Sequence, residues 1–125
     1  MTQQPVLIIS QLSFHTNAAA KNNDTHVTVT VRANNGIIAA RIDNDLGQFS
    51  ENSDSGPYNL EIINQVSKNE LTGGNTAIRI DPSGQESWQF NFFLDLIFTD
   101  GSHLSCEANN IELDQKRQQS TFGIS

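Results

Sequence analysis

The sequence predicts an all-β protein, an antiparallel β-sandwich of about eight strands, from three observations. Apolar and polar residues alternate with period two along most of the 125 residues. Turn chemistry recurs roughly every ten residues. Neutral polar side chains are abundant, with 14 Asn, 10 Gln, 12 Ser and 9 Thr against 17% charged residues. Asn, Ser and Thr compete with helical hydrogen bonding, so this composition disfavours helices. A small closed β-barrel satisfies the same observations and is the alternative. The length suits a single domain, residues 1–125, built around one core.

Taken in order, the first strand covers Val6–His15, with Ile8, Leu12 and Phe14 on one face. His26–Ala33 places Val27, Val29 and Val31 on one side and Thr28, Thr30 and Arg32 on the other. Ile38, Ala40 and Ile42 follow, then Tyr58, Leu60 and Ile62, then Ile78 and Ile80. The longest run is Ser87–Thr99, where Trp88, Phe90, Phe92, Leu94, Leu96 and Phe98 share a face. Phe93 and Ile97 lie on its other face, so this strand is either covered on both sides or marks a self-association surface. Leu104, Cys106 and Ala108 continue the pattern, Ile111–Leu113 extends it, and Phe122 with Ile124 suggests a short closing strand. Asn34-Asn35-Gly36, Asp81-Pro82-Ser83-Gly84 and Thr99-Asp100-Gly101-Ser102 are turn signals, because Asn and Gly tolerate positive φ and Pro presets the second turn position. Gly73-Gly74-Asn75 breaks the chain, and only Gln65–Leu71 and Glu112–Gln119 could hold a helical turn.

Fourteen acids against seven Lys and Arg give a net charge of −7, which opposes binding to nucleic acid or an anionic membrane by charge alone. The lone Cys106 excludes an internal disulfide and a cysteine-cluster zinc site, and its alternating surroundings suit a buried, inert thiol. No segment reaches the ~20 apolar residues of a membrane span, and Met1–Ser10 lacks the basic start of a signal peptide. The expectation is a soluble chain, cytoplasmic or secreted without a visible signal. Asn23-Asp24-Thr25 fits a glycosylation sequon.

Alternating strand directions bring three loops to one end of a sandwich: Thr16–Thr25, Asp43–Pro57 and Asp81–Glu86. They hold Asp24, Asp43, Asp45, Glu51, Asp54, Asp81 and Glu86, against the one basic residue Lys21. Gathered carboxylates repel one another unless a cation neutralises them. Calcium takes six to eight oxygen ligands from carboxylates, amides and carbonyls in a tolerant geometry. The candidate metal ligands are Asn22, Asn23, Asp24, Asp43, Asn44, Asp45, Glu51, Asn52, Asp54 and Asp81. The competing reading is that these are solvated turn residues, since Asp and Asn favour turns.

The stretch Leu12-Ser-Phe-His-Thr16, followed by a polar loop and Asn22-Asn-Asp24-Thr-His-Val27-Thr-Val-Thr-Val31, resembles the opening of C2 and PLAT-type modules over about 20 residues. The resemblance implies a sandwich of about eight strands whose rim loops hold Ca2+ and meet a lipid, glycan or protein, with Asp24 as a ligand. The chain departs from the C2 pattern at Asp81-Pro-Ser-Gly84, one acid where several are expected, and at Asn22 and Asn23. Those departures suit a weak site of ~10⁻⁴–10⁻³ M.

No catalytic constellation emerges. His15, His26 and His103 are scattered near strand ends, and Ser102-His103 beside Asp100 lies within one hairpin, which builds neither a triad nor an oxyanion hole. Phosphate-cradling glycine loops and His-Glu-x-x-His spacing are absent from the sequence. Tyr58, His26 and Trp88 are candidate ligand contacts at the acidic end, although Trp88 is in phase with the core side of its strand. The leading expectation is a non-enzymatic calcium-binding module that engages a glycan or lipid head group. The alternative is a structural or assembly protein associating through its Phe93/Ile97 face; an esterase or glycosidase is the third.

Overall fold

A computed structural model describes residues 5–17, 21, 25–44, 48–81, 87–114 and 116–124. Among them are nine strands and one helical turn: β1 (Leu7–Thr16), β2 (His26–Arg32), β3 (Ile38–Asn44), β4 (Ser53–Asn59), β5 (Glu61–Ile62), α1 (Lys68–Leu71), β6 (Asn75–Asp81), β7 (Ser87–Phe98), β8 (His103–Asp114) and β9 (Gln119–Gly123). They form two antiparallel sheets, of order β4-β1-β7-β8 and β5-β3-β2-β6-β9. The fold is a β-sandwich, and neither sheet closes into a barrel.

The alternating residues of β2 and β7 pack as the pattern requires, whereas Ile8, expected on the face of Leu12 and Phe14, is exposed, because the β1 register shifts between Leu7 and Ile9 and buries Leu7 instead. Val27, Val29 and Val31 on β2 meet Trp88, Phe90, Phe92, Leu94, Leu96 and Phe98 on β7 in one buried core. Trp88 and Phe90 stack at 3.8 Å between centroids. Phe14 packs 5.1 Å from Trp88, and Phe49 packs 5.5 Å from it. The Trp88 indole N–H donates to the buried Thr16 hydroxyl at 3.1 Å, which satisfies the one polar atom of that side chain. Phe49 comes from the β3–β4 connection, where two 3.0 Å backbone hydrogen bonds with Lys21 tie it to the β1–β2 connection. Two rim connections are thus anchored through one aromatic ring.

Three expectations about the elements need correction. Residues 53–57, read as loop, form most of β4, an edge strand beside β1. Its Gly56-Pro57 and polar residues hid it, and an edge is where a sheet tolerates proline. Tyr58, Leu60 and Ile62 do not share a strand: Tyr58 lies in β4 of one sheet, Ile62 sits in β5 of the other, and the chain crosses between sheets at Leu60. The described residues of Glu112–Gln119 hold no helix; β8 runs to Asp114, whose side chain accepts the backbone N–H groups of Lys116 (2.8 Å) and Arg117 (2.7 Å).

The turns at Asn34–Gly36 and Thr99–Ser102 are as read, with Gly36 at φ 91° and Gly101 at φ 82°. The turn at 82–84 lies outside the described residues. The 65–71 segment does hold a helical turn, α1, which Ser67 and Glu70 close with a reciprocal capping box.

Candidate functional site

Strand direction does gather the connections after β1, β3 and β6 at one end, where β7 starts at Ser87 beside the end of β8. A fourth connection, β8–β9, also lands there and brings Lys116 and Arg117 with Asp114. The charge tally of this end is therefore less one-sided than the sequence implied. Arg41 Nη2 lies 3.0 Å from Asp43, and Arg79 Nη2 lies 3.3 Å from Asp81. His26 also hydrogen-bonds Asp43, and Thr28 donates to the same carboxylate at 3.2 Å. Lys21 is fully buried, its ammonium 4.9 Å above the Phe49 ring and donating to the Thr25 carbonyl at 3.2 Å.

Of the ten expected metal ligands, Asn22, Asn23, Asp24 and Asp45 lie outside the described residues. Asp43 and Asp81 are engaged by arginines, while Glu51 and Asn52 form an exposed turn. Asn44 ends β3, and Asp54 sits on β4 beside His15. Among the described residues no three His, Cys, Asp or Glu side chains gather as a metal site. Two of the three expected ligand contacts, Trp88 and Tyr58, also change. Trp88 is 0% exposed, so it contributes packing and cannot touch a ligand. Tyr58 points inward, half-buried against Phe14 at 6.4 Å and Phe49 at 6.2 Å, and that burial raises its hydroxyl pKa. His26 keeps partial exposure beside Asp43.

An open groove of about 320 Å³ lies on the outer face of the β4-β1-β7-β8 sheet. The cross-strand register builds it. His15 pairs with Asn91, Ser13 with Phe93 and Phe93 with Glu107, so these outward side chains stand in adjacent rows. Asp54 of β4 pairs with His15, and the His15 Nδ1–Asp54 Oδ1 distance is 2.7 Å. Two irregularities flank the central β1–β7 pair at this level. On β4 the register shifts opposite Leu12–Phe14, where Gly56 has φ 108° and an added Cβ would stand 2.9 Å from the Leu12 carbonyl. On β8 it shifts opposite Phe90–Phe92, with Asn110 at φ 57°. Bulges bend and twist the strands that carry them, which re-aims side chains next to binding sites.

The groove's polar groups are oriented. Asn91 Oδ1 accepts both Asn17 Nδ2 (3.0 Å) and the Asn110 backbone N–H (2.8 Å), which leaves the Asn91 Nδ2 group to donate elsewhere. His15 uses Nδ1 on Asp54 and keeps Nε2 free of that contact. Glu107 and Asn109 complete the wall, and Phe93, 44% exposed, forms an apolar patch between them and Ser13. The sequence named Phe93 as out of phase but did not link it to His15, Asp54, Asn91 or Glu107. The available signal was the polar outward row Gln11, Ser13, His15 facing a second row, Gln89, Asn91, Asp95, that Phe93 interrupts.

A scan against known protein families finds no match, and a search of curated proteins finds none either. The similarity to C2 and PLAT-type modules accordingly rests on its quoted residues, of which Asn22, Asn23 and Asp24 lie outside the described ones. No helix among the described residues is long and apolar enough to cross a membrane.

Hydrogen bonding holds four carboxylates below their ordinary pKa. Asp43 is lowered chiefly by His26, Glu70 by the Ser67 cap, Asp100 by Ser102 and Asp114 by the backbone of Arg117 and Lys116. Each binds fewer protons folded than unfolded, so its contribution is complete above the ordinary value (3.8 for Asp, 4.5 for Glu) and is lost as pH falls through the lowered one. The melting temperature is expected to fall as pH drops below about 4. A melting temperature that rises on acidification from about pH 5 to about pH 3 would contradict these assignments.

Proposed function

We propose that this chain is a non-enzymatic binding module that takes a glycan on the outer face of its β4-β1-β7-β8 sheet. The observation that carries the reading is the exposed Phe93 ring set in a groove among His15, Asp54, Asn91, Glu107 and Asn109. A pyranose ring has an apolar C–H face and a rim of hydroxyls. The first covers an aromatic ring, and the second needs side chains that both donate and accept hydrogen bonds. An apolar patch with a few convergent polar groups is the general form of a small-ligand site. Because Phe93 is exposed, Phe93→Ala is expected to leave the melting temperature within a few degrees while weakening binding to a responding immobilised glycan by about tenfold or more. Unchanged binding in this variant would remove the groove as the site. A concentration-dependent dimer that dissociates in Phe93→Ala, seen by sedimentation, would assign the face to self-association instead.

Calcium at the rim is a second reading, favoured by the meeting of the β1–β2, β3–β4 and β6–β7 connections at one end. Its ligands would come from Asn22, Asn23, Asp24 and Asp45 together with Asp43, Asn44, Glu51, Asn52, Asp54 and Asp81, and it would supply the positive charge that a lipid phosphate requires. Ligand binding raises stability by RT ln(1 + [L]/Kd), so even a millimolar site gives a measurable shift at tens of millimolar calcium. A rise in melting temperature with calcium, absent with magnesium and lost in Asp24→Asn plus Asp45→Asn, is the result this reading expects. No shift with calcium would end it.

A further inference from the structure

We infer that the groove sorts glycans by charge, taking neutral chains and rejecting those that carry uronic acid or sulfate groups; this rests on the glycan reading above. Among the described residues, those that are ionisable and line the groove are Asp54, Glu107 and His15, with no Lys or Arg. The Glu107 side chain makes no hydrogen bond or ion pair with a described residue, and Glu107 stands in register beside Phe93. Asp54 stands on the opposite side of the Ser13–His15 row, so a ligand stacked on Phe93 lies between two carboxylates.

The charge pattern continues along the same face. One pair further along from Phe93 is Asp95, which His103 approaches at 2.8 Å, with Ser105 opposite it. In the other direction Gln89 donates to Glu112 at 2.8 Å. Every fixed charge on these outward rows is therefore negative, and the two histidines each sit beside an aspartate. A carboxylate or sulfate on the ligand would face like charges without a guanidinium or ammonium to receive it, which is a repulsive element of the kind that gives specificity. Hydroxyl groups meet no such penalty, since the Asp54 and Glu107 carboxyl oxygens accept their hydrogen bonds. Being solvent-exposed, the discrimination weakens as salt screens it.

The test compares matched hexasaccharides in direct titrations: β-1,4-linked glucose, xylose, mannose and galactose hexamers, and the C6-oxidised uronate forms of the three hexoses. Wild-type protein is expected to bind a hexose hexamer about tenfold or more tightly than its own uronate at low salt, with the ratio shrinking toward one at about 1 M salt. In Asp54→Asn plus Glu107→Gln the ratio is expected to fall several-fold, whatever happens to the neutral affinity. A uronate that binds wild type as well as its neutral partner overturns the charge inference and leaves the glycan reading standing. A ratio unchanged in the double variant overturns it too. No binding by any hexamer at millimolar concentration overturns the glycan reading itself.

Discussion

Trp88→Ala is expected to cost about 3–5 kcal/mol, a large share of the ~5–15 kcal/mol that holds a typical domain together. The indole is fully buried, stacked on Phe90 at 3.8 Å and packed on Phe14 and Phe49 at 5.1 and 5.5 Å. Its removal leaves a cavity directly under the connections that Phe49 and Lys21 tie together, and it orphans the buried Thr16 hydroxyl. Both losses act on the same end, so the surroundings have little means to collapse into the space. Trp88→Phe separates the two, because it retains most of the ring contacts and loses only the hydrogen bond; about 1–3 kcal/mol is expected. Urea unfolding followed by circular dichroism measures both. A Trp88→Ala loss under about 1 kcal/mol would mean that the aromatic cluster is not the centre of the core.

The second large effect is expected at Gly74. An added Cβ there would lie 2.2 Å from the Arg32 carbonyl oxygen, 3.1 Å from the Leu71 carbonyl oxygen and 3.2 Å from Ala33 Cα. All three are backbone atoms, at the point where β6 begins beside the end of β2 and where Gly74 O accepts the Ile124 N–H at 3.0 Å. The chain cannot yield without displacing that junction, so Gly74→Ala is expected to destabilise by about 3 kcal/mol or more, at the upper end for an overpacked site. Gly123 is the control, with nothing within 4 Å of its added Cβ and no positive φ. Gly123→Ala is expected to stay within about 0.5 kcal/mol. Equal effects at the two glycines would contradict the packing at Gly74.

The elements that were legible in the sequence are those whose neighbours are the same on both sides. Val27, Val29 and Val31 sit in a central strand between β3 and β6, and Trp88 to Phe98 run in a central strand between β1 and β8. For such strands one buried face suffices to produce strict alternation. β4 escaped because an edge strand with one partner does not need an alternating pattern, and its Gly56-Pro57 reads as a break. The crossing at Leu60 escaped for a related reason: alternation in phase across Tyr58, Leu60 and Ile62 records burial, which continues when a chain passes from one sheet of a sandwich to the other.

The site divided along the same line. Which connections share an end follows from strand direction, and that much was readable, although the omitted β8–β9 turn removed the clean excess of acid. Which side chains share a face across strands follows from register, and register is set by bulges. His15 and Asp54 are 39 positions apart and meet only because β4 pairs with β1 after its irregularity. Glu107 faces Phe93 through the hairpin register that the Thr99–Ser102 turn sets, and the extra residue near Asn110 shifts only the pairs beyond it, from Phe90–Ile111 to Ser87–Asp114. Neither bulge leaves a distinctive local sequence. Asp43 and Asp81 show the opposite failure, since Arg41 and Arg79 stand only two residues away on the same strand face and were available as partners from the alternation itself.

The central claim is that the ligand lies on the sheet face and not at the acidic rim. Backbone amide NMR during titration with a bound neutral hexasaccharide tests it directly. The expected perturbations centre on Ser13, His15, Asp54, Asn91, Phe93 and Glu107, with the Asp43, Glu51 and Asp81 amides unmoved. Perturbations centred on Asp43, Glu51 and Asp81, with Phe93 and Glu107 unmoved, would contradict it.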